Sequence, residues 1–260
     1  MMISSKHTQI LSPSPNYGER VGTHSPHIIV LHYTGMNGGE SALARLCDHA
    51  SEVSCHYVIM ENGDIIQLVD ELKRAWHAGK SAWQGMTDLN SCSIGIEIAN
   101  GGHDFRNIDG SLPAYSSAQI LSVIALCQDL IERWNMCATH VLAHSDIAPM
   151  RKQDPGEHFP WHVLYAEGVG HWVEPQPLQD GRFFALGDQG QPIEALQTML
   201  SLYGYGLDQS GIYDDQTMCC VKAFQRHFRT ERIDGIADAS TIMTLHQLLK
   251  NANNSHFEKN

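Results

Sequence analysis

The run AHSDIAPMRKQDPG, residues 143–156, places an imidazole, a lysine and a carboxylate within one short segment. Its prolines Pro149 and Pro155 disfavour a continuous helix, so we predict a loop of defined shape. His144 and Asp154 are candidate metal ligands in this loop, because imidazole nitrogen and carboxylate oxygen both bind zinc. A bound metal would also hold the shape of the loop.

A second histidine, His32, lies at the end of the apolar run in HIIVLHYTG, residues 27–35. Two imidazoles and one carboxylate leave a tetrahedral zinc ion with one open position, which is the arrangement of a hydrolytic site. A lone histidine is more often a hydrogen-bonded residue at the rim of a sheet, and most of the 16 histidines of this chain must have such roles. His32 is a candidate only in combination with His144 and Asp154.

Glu97 lies in the apolar stretch SIGIEIA, residues 93–99. A carboxylate in a buried strand is costly unless it is paired or functional. If Glu97 faces the metal, its role is general base, taking a proton from the attacking water. A solvent-facing position on a half-exposed strand is an equal alternative.

Two further features are candidates for parts of the same site. Lys152 lies two residues before Asp154 and could stabilise the negative oxygen that forms when water attacks a carbonyl; the alternative is an exposed loop lysine. Trp76-His77-Ala78-Gly79 could line a substrate cleft and stack on a sugar or peptide, although structural packing of Trp76 is equally plausible.

The composition describes a globular protein with room for one large and one small domain. The chain has 260 residues, 42% apolar residues and only 18% charged residues, which argues against disorder. Its net charge of −12 disfavours non-specific nucleic-acid binding, which needs clustered cations. No apolar run is long enough to predict a membrane span, and nothing in the sequence implies an oligomer.

The first domain is predicted to be α/β, over residues 1–172, because strands and helices alternate along it. A short strand at 141–143 would deliver His144 to the site, and Ser116 or Ser117 would cap the strongest amphipathic helix. The other predicted elements are strands at 28–31 and 92–99, helices at 40–50 and 117–134, and a hairpin of 56–60 with 65–69.

The rest of the chain contains an internal repeat. The set Gly211, Asp214 and Thr217 recurs 24 residues later, at 235, 238 and 241, and each aspartate is predicted to cap a helix. With a helix at 192–203 this makes a small three-helix domain over residues 192–250, after a linker at 173–191 and before a tail at 251–260.

Five stretches, IIVLHYTG, SCHYVIMENGDIIQLVD, AWHAG, SIGIEIAN and AHSDIAPMRKQDPG, together resemble the zinc-dependent N-acetylmuramoyl-L-alanine amidases of the type 2 amidase family. This family shares its fold with the peptidoglycan recognition proteins. YGYGLDQSGIYDDQT and AFQRHF resemble the three-helix peptidoglycan-binding domain. The resemblance implies a central mixed β-sheet flanked by helices, followed by a small C-terminal three-helix domain.

The resemblance also implies a reaction and the residues that perform it. By it, His32, His144 and Asp154 hold one Zn²⁺ per chain, and Glu97 and Lys152 are catalytic. The implied reaction is hydrolysis of the amide between the lactyl group of N-acetylmuramic acid and L-alanine, in peptidoglycan or muropeptides. The candidate substrate-binding residues are Trp76, His77, Asn37 and Asn100.

Two other functions are compatible with much of the same pattern. A zinc peptidase would cut within the stem peptide and would release different products. A binding-only recognition protein of the same fold would lack a ligand or the general base, and neither is missing from this sequence.

The first 20 residues contain neither an apolar signal core nor a lipid-attachment cysteine, which predicts a cytoplasmic protein. The two-domain order is similar to that of AmiD-type amidases, which usually carry an export or lipoprotein signal. Cytoplasmic AmpD-type members usually lack the tail domain. The chain combines features of both groups, and the resemblance therefore implies the periplasm or cell envelope as the alternative.

Overall fold

The computed structural model describes residues 2–257, and for residues 253–257 only the backbone. The described chain forms two compact units. The first unit consists of residues 2–80, 88–144 and 154–170, and the second of residues 81–87, 145–153 and 171–257. Met1 and residues 258–260, at the start of the predicted first domain and the end of the predicted tail, lie outside the described residues.

The first unit is built around a mixed β-sheet, which confirms the predicted fold class. Its central strands are continuous apolar runs, as expected for strands that are covered on both faces. The strands in chain order are β1 (Ile10–Leu11), β2 (Tyr17–Glu19), β3 (Ile28–Tyr33), β4 (Tyr57–Ile59), β5 (Ile65–Gln67), β6 (Lys73–Ala75), β7 (Ser93–Ile98) and β8 (Val141–Ala143).

Six of these strands form one sheet, in the order β1-β5-β4-β7-β3-β8. The pair β4 and β5 is antiparallel and is the predicted hairpin, while all other neighbours in this sheet are parallel. β2 and β6 form a separate antiparallel pair. Strands β3, β7 and β8 are therefore adjacent and parallel, so their carboxyl ends lie at one edge of the sheet.

The helices match most of the sequence-based predictions. Among the described residues, no helix combines the length and the apolar composition of a membrane span. Ser116 caps the third helix in a capping box with Gln119, as the sequence predicted for this position. The helices are α1 (Gly39–Leu46), α2 (Leu89–Cys92), α3 (Ser117–Trp134), α4 (His144–Ile147), α5 (Trp161–Ala166), α6 (Gln191–Tyr203), α7 (Asp215–Phe228) and α8 (Ala239–Phe257).

The helix predicted at 40–50 is shorter than expected. It ends at Leu46, and a separate 3-10 turn follows at His49–Ser51. The Asp48 carboxylate accepts a hydrogen bond from the Ala50 amide at 3.0 Å and so starts this new turn. A side chain that bonds to the local backbone competes with continuation of the α-helix.

The second unit contains helices α6 to α8, and its repeat is visible in the hydrogen bonds. Asp214 caps α7 by accepting from the Thr217 amide at 2.8 Å, which confirms the predicted cap. Its repeat partner Asp238 accepts from the Thr241 amide at 2.7 Å. A buried glutamine in each copy was not predicted from the sequence. Gln197 accepts from the Gly211 amide and donates to the Thr217 hydroxyl. Gln225 makes the equivalent hydrogen bonds with the Gly235 amide and the Thr241 hydroxyl.

The second unit also contains two segments from the predicted first domain. Asp146 is buried and accepts hydrogen bonds from the Tyr205 hydroxyl and from Nδ1 of His227, each at 2.7 Å. Trp83, from the segment 81–87, is fully buried and packs edge-on against Tyr205. Each compact unit therefore contains segments that are not consecutive in the sequence. The domain boundaries at 172, 191 and 250 remain predictions.

Candidate metal centre

Three buried side chains, His32, His144 and Asp154, meet in the first unit. Nδ1 of His32 lies 2.9 Å from Nδ1 of His144 and 3.0 Å from Oδ2 of Asp154. The third side of this triangle, from Nδ1 of His144 to Oδ2 of Asp154, is 2.8 Å. Acceptor atoms this close to one another repel unless a cation or a proton lies among them.

The sheet explains why residues so distant in the chain come together. β3 pairs in parallel with β8, with Leu31 opposite Ala143. The next residues, His32 near the end of β3 and His144 directly after β8, therefore lie side by side. Asp154 follows ten residues after His144. In open α/β sheets, ligand sites form at the carboxyl ends of parallel strands, and this cluster lies at such an edge.

The donor set fits zinc. Nε2 of His144 lies 3.2 Å from the Ala78 carbonyl, which can only accept, so this nitrogen carries the proton and Nδ1 presents a lone pair. Two imidazole nitrogens and one carboxylate oxygen are ligands that zinc prefers, and three protein ligands leave one position for water or substrate.

The electrostatics favour a charged carboxylate at Asp154. Burial alone would raise the pKa of Asp154, but positive charge and hydrogen bonds from His144, then from His32, outweigh burial in the metal-free protein and hold that pKa well below its ordinary value. A bound cation would take the place of the protons that the two histidines supply there. The carboxylate is therefore ionised at neutral pH, which is the form that binds a metal cation.

Glu97 shares a face of the sheet with His32. In β7 it lies directly opposite His32 of β3 and opposite Val58 of β4, and residues in register on parallel strands point to the same side. Glu97 is half-buried in an interior strand. This placement favours the metal-facing interpretation of Glu97 over that of an exposed strand position.

Tyr115 is a residue of this region that the sequence did not single out. Its hydroxyl donates to the Pro155 carbonyl at 2.7 Å, next to Asp154. Burial, followed by the negative charge of Asp154, raises the pKa of Tyr115 well above its ordinary value, so the phenol keeps its proton. Tyr115 lies before α3 and outside every motif, so no local pattern could have identified it.

The other predicted site residues have varied surroundings. Lys152 is half-buried in the segment 145–153 of the second unit, where its amide donates to the Ala148 carbonyl at 3.0 Å. Asn37 is exposed before α1, and Trp76 is half-buried. The Asn100 amide is used inside the protein, accepting from the Gly102 amide and donating to the Pro113 carbonyl.

His77 lies next to His32, on the side of the His32 ring that faces away from Asp154. Its Nδ1 is 3.0 Å from Nε2 of His32, and its Nε2 is 3.1 Å from the Ser93 hydroxyl. Burial first, then the neighbouring histidines, lowers the pKa of His77 well below its ordinary value. His77 is therefore a neutral imidazole whose two nitrogens both face groups within the protein.

His56, the residue directly before β4, is a second neutral histidine, and its ring centre lies 5.8 Å from that of His77. Its Nδ1 accepts from the Gly95 amide at 3.0 Å, and its Nε2 donates to the Lys73 carbonyl at 3.1 Å. Burial, with a smaller effect of the Arg20 guanidinium, lowers the pKa of His56 to about 3. Protonation of Nδ1 of His56 would remove the acceptor of the Gly95 amide hydrogen bond.

The low pKa of His56 predicts that the folded protein loses stability in acid. In the unfolded chain, histidine has a pKa of about 6.5, so between about pH 6.5 and 3 the unfolded state binds a proton that folded His56 does not. The free energy of unfolding should fall as pH decreases through this window. In urea titrations at several pH values, His56→Asn should reduce the slope by up to about 1.4 kcal/mol per pH unit.

His49→Asn, at an exposed histidine, is the matched control and should leave that slope unchanged. The comparison between variants matters because burial also lowers the pKa of His158 and His171, each to about 4. Equal slopes for His56→Asn and the unmodified protein would contradict the assignment of a neutral, buried His56.

Comparison with known proteins adds two family matches. The N-acetylmuramoyl-L-alanine amidase family matches residues 22–157, and a peptidoglycan binding domain family matches residues 189–245. AmiD of Escherichia coli is 38% identical over 233 residues, covering 86% of this chain and 82% of AmiD. The 1,6-anhydro-N-acetylmuramyl-L-alanine amidase AmpD of Citrobacter freundii is 34% identical over 171 residues, covering 57% of this chain and 84% of AmpD.

Solved structures agree with these matches. The complex of E. coli AmiD with the substrate anhydro-N-acetylmuramic acid-L-Ala-D-gamma-Glu-L-Lys has a TM-score of 0.73 at 35% identity, over 91% of this chain and 98% of that one. AmpDh3 of Pseudomonas aeruginosa, in complex with anhydromuramic pentapeptide, has a TM-score of 0.72 at 30% identity, over 97% of this chain and 99% of that one.

Proposed function

The chain belongs to the N-acetylmuramoyl-L-alanine amidase family, and we propose that its buried cluster of His32, His144 and Asp154 is the catalytic metal centre of this hydrolase. The reaction cleaves the amide between the lactyl group of N-acetylmuramic acid and L-alanine. The observation that carries the proposal is the meeting of three ligand atoms within 3.0 Å of one another, from residues up to 122 positions apart.

Zinc is the metal that we assign to this cluster, with one ion per chain. When bound, it polarises the substrate carbonyl and lowers the pKa of water towards about 7. His32 and His144 contribute neutral nitrogens and Asp154 contributes one negative charge, so the centre keeps a net positive charge that favours an electron-rich carbonyl.

Glu97 is the proposed general base. It removes a proton from the attacking water, and the water oxygen bonds to the amide carbon. When the carbon–nitrogen bond breaks, Glu97 returns the proton to the departing amine of L-alanine. The products are a sugar with a free lactyl carboxylate and a peptide that begins with L-alanine. The position of Glu97 opposite His32 supports this role.

Lys152 is the proposed partner of the negative oxygen that develops during attack. Its proximity in sequence to Asp154 and the family resemblance support the assignment. Lys152→Ala should lower kcat on muropeptides about 100- to 1,000-fold, because one donor to the oxyanion is lost. The effect should fall mainly on kcat, since the charge exists only in the transition state.

Arg151→Ala is the control for this variant, because it removes an adjacent, exposed cation. It should retain nearly full activity, and both variants should retain zinc. A Lys152→Ala enzyme with unchanged kcat would show that Lys152 takes no part in the reaction.

We infer that the substrates are peptidoglycan or its muropeptides, including those with an anhydro sugar, which the AmiD and AmpDh3 complexes contain. The domain at 189–245 is proposed to hold the enzyme on the polymer and to raise the local substrate concentration. The proposed compartment is the cytoplasm, with the cell envelope as the alternative. Fractionation of the native host tests both.

Digestion of intact sacculi and of anhydro-muropeptides, side by side and with or without a chelator, tests the proposed reaction. Mass spectrometry should find a free lactyl sugar and an intact peptide beginning with L-alanine, and the chelator should abolish both products. Peptides cut internally would instead establish a stem-peptide peptidase. Binding of sacculi without any product would establish a recognition protein.

A further inference from the structure

We propose that two adjacent residues, His77 and Ala78, accept hydrogen bonds from the metal-binding histidines and so set which ring nitrogen of each histidine carries the proton. The proposal rests on the metal centre proposed above and assigns a role to residues that contact its histidine ligands. In this role His77 is a positioning residue that acts through His32, rather than a substrate-binding residue as the sequence suggested.

The first contact of these residues is with His144. The Ala78 carbonyl accepts from Nε2 of His144 at 3.2 Å. A neutral histidine carries one ring proton, so this hydrogen bond directs the lone pair of Nδ1 towards Asp154, 2.8 Å away.

The second contact is with His32, and its direction follows from a chain of hydrogen bonds. The Ser93 hydroxyl donates its only proton to the Leu89 carbonyl, which can only accept. Ser93 therefore offers only a lone pair to His77, and Nε2 of His77 must donate to it, across 3.1 Å. In neutral His77 the proton is then on Nε2, so Nδ1 is an acceptor.

That acceptor faces His32. Nδ1 of His77 lies 3.0 Å from Nε2 of His32, so Nε2 of His32 donates to it. The remaining nitrogen of His32, Nδ1, then presents its lone pair within 3.0 Å of His144 and Asp154. The adjacent residues His77 and Ala78 thus turn Nδ1 of both histidines towards one point.

The fold tightly holds the segment that contains these residues. The side-chain oxygen of buried Asn90 accepts from two consecutive amides, His77 at 3.0 Å and Ala78 at 2.7 Å. The Ser54 hydroxyl accepts from the Trp76 amide at 2.9 Å. A Cβ at Gly95 would lie only 2.4 Å from Cγ of His77, so glycine is needed there for the ring to lie against β7.

The physical consequence is preorganisation of the metal site. A histidine without an outer acceptor also populates the tautomer with its proton on Nδ1, and that proton must be displaced before metal binds. Loss of an outer-shell partner typically lowers metal affinity or activity about 10- to 100-fold.

The test compares two substitutions of His77. Leucine removes the acceptor while keeping a side chain of similar bulk, whereas the oxygen of asparagine can occupy the position of Nδ1. His77→Leu should weaken zinc binding about 10- to 100-fold in chelator competition, and His77→Asn should recover most of that loss. In ¹⁵N NMR of the metal-free proteins, His32 should carry its proton on Nε2 in the unmodified protein and lose that preference in His77→Leu.

Ser93→Ala and Ser91→Ala provide a second, milder comparison. Ser93→Ala removes the group that fixes the tautomer of His77, and should weaken zinc binding towards the lower end of the same range. Ser91 is also buried, and its hydroxyl is hydrogen-bonded to Asp88, Arg74 and the Val21 amide rather than to His77. Ser91→Ala should leave zinc affinity unchanged.

The outcomes separate this proposal from the metal centre itself. If the unmodified protein binds no zinc, the metal centre is wrong. If it binds zinc and folded His77→Leu binds equally well, only the outer-shell role is wrong. Equal losses in His77→Leu and His77→Asn would show that the imidazole acts by packing alone. If His77→Leu does not fold, unchanged zinc affinity of Ser93→Ala overturns the proposal.

Discussion

Asp154→Ala is expected to lose stoichiometric zinc and, with it, amidase turnover. Oδ2 of Asp154 lies within 3.0 Å of both ligand nitrogens, and its carboxylate is the only negative charge among the three proposed ligands. The loss of zinc affinity should exceed the roughly 10- to 100-fold that is typical of outer-shell changes. Metal analysis of the purified protein and mass spectrometry of digested anhydro-muropeptides measure the two effects separately.

Asp109→Ala is the control, because it removes an exposed aspartate of the same unit. It should bind zinc and turn over substrate like the unmodified protein. Chelation of the unmodified protein should reproduce the Asp154→Ala result, and added zinc should reverse it. An Asp154→Ala protein with a full complement of zinc would remove Asp154 from the ligand set.

Glu97→Gln is expected to be folded, to bind zinc and to be nearly inactive. The amide keeps the shape of the carboxylate but cannot take a proton from water, and a general base typically contributes about 100- to 10,000-fold in rate. The loss should appear in kcat on a soluble muropeptide. Retained zinc distinguishes this variant from Asp154→Ala, in which metal and activity are lost together.

Glu61→Gln is the matched control, since Glu61 is an exposed carboxylate whose contact is with the Gly39 amide. It should show near-normal kcat. Near-normal kcat in purified Glu97→Gln would remove the general-base assignment, and loss of zinc from that variant would place Glu97 among the metal ligands.

Local patterns were sufficient to predict most of the secondary structure. Helix α3 has the predicted bounds because its apolar period and its capping serine are both local properties. The hairpin of β4 and β5 followed from alternating residues around a turn, and the caps at Asp214 and Asp238 followed from the repeat. The helix at 40–50 was predicted too long because the competing turn at Asp48 depends on one side-chain hydrogen bond.

The roles of individual polar side chains were harder to predict, since the same motif is compatible with several partners. AWHAG predicts substrate contact, which stays a prediction, and the motif gave no sign that His77 lies between His32 and Ser93. Asn100 lies in a motif of the family, yet its amide holds the backbone of a neighbouring loop. The partners of buried Asp146, the Tyr205 hydroxyl and Nδ1 of His227, lie 59 and 81 positions away in the sequence, so no local pattern could have identified them.

The sequence by itself determined the fold class, the elements and the residue types that suit a zinc hydrolase, because propensity, periodicity and capping act over a few neighbouring residues. The family resemblance implied that His32, His144 and Asp154 act together, but only the tertiary structure showed that their ligand atoms lie within 3.0 Å of one another and which groups lie at the other ring nitrogens. The direction of a histidine's hydrogen bonds depends on atoms brought close by strand pairing. Those atoms come from positions as distant as Ala78 and His144, which no local spacing relates.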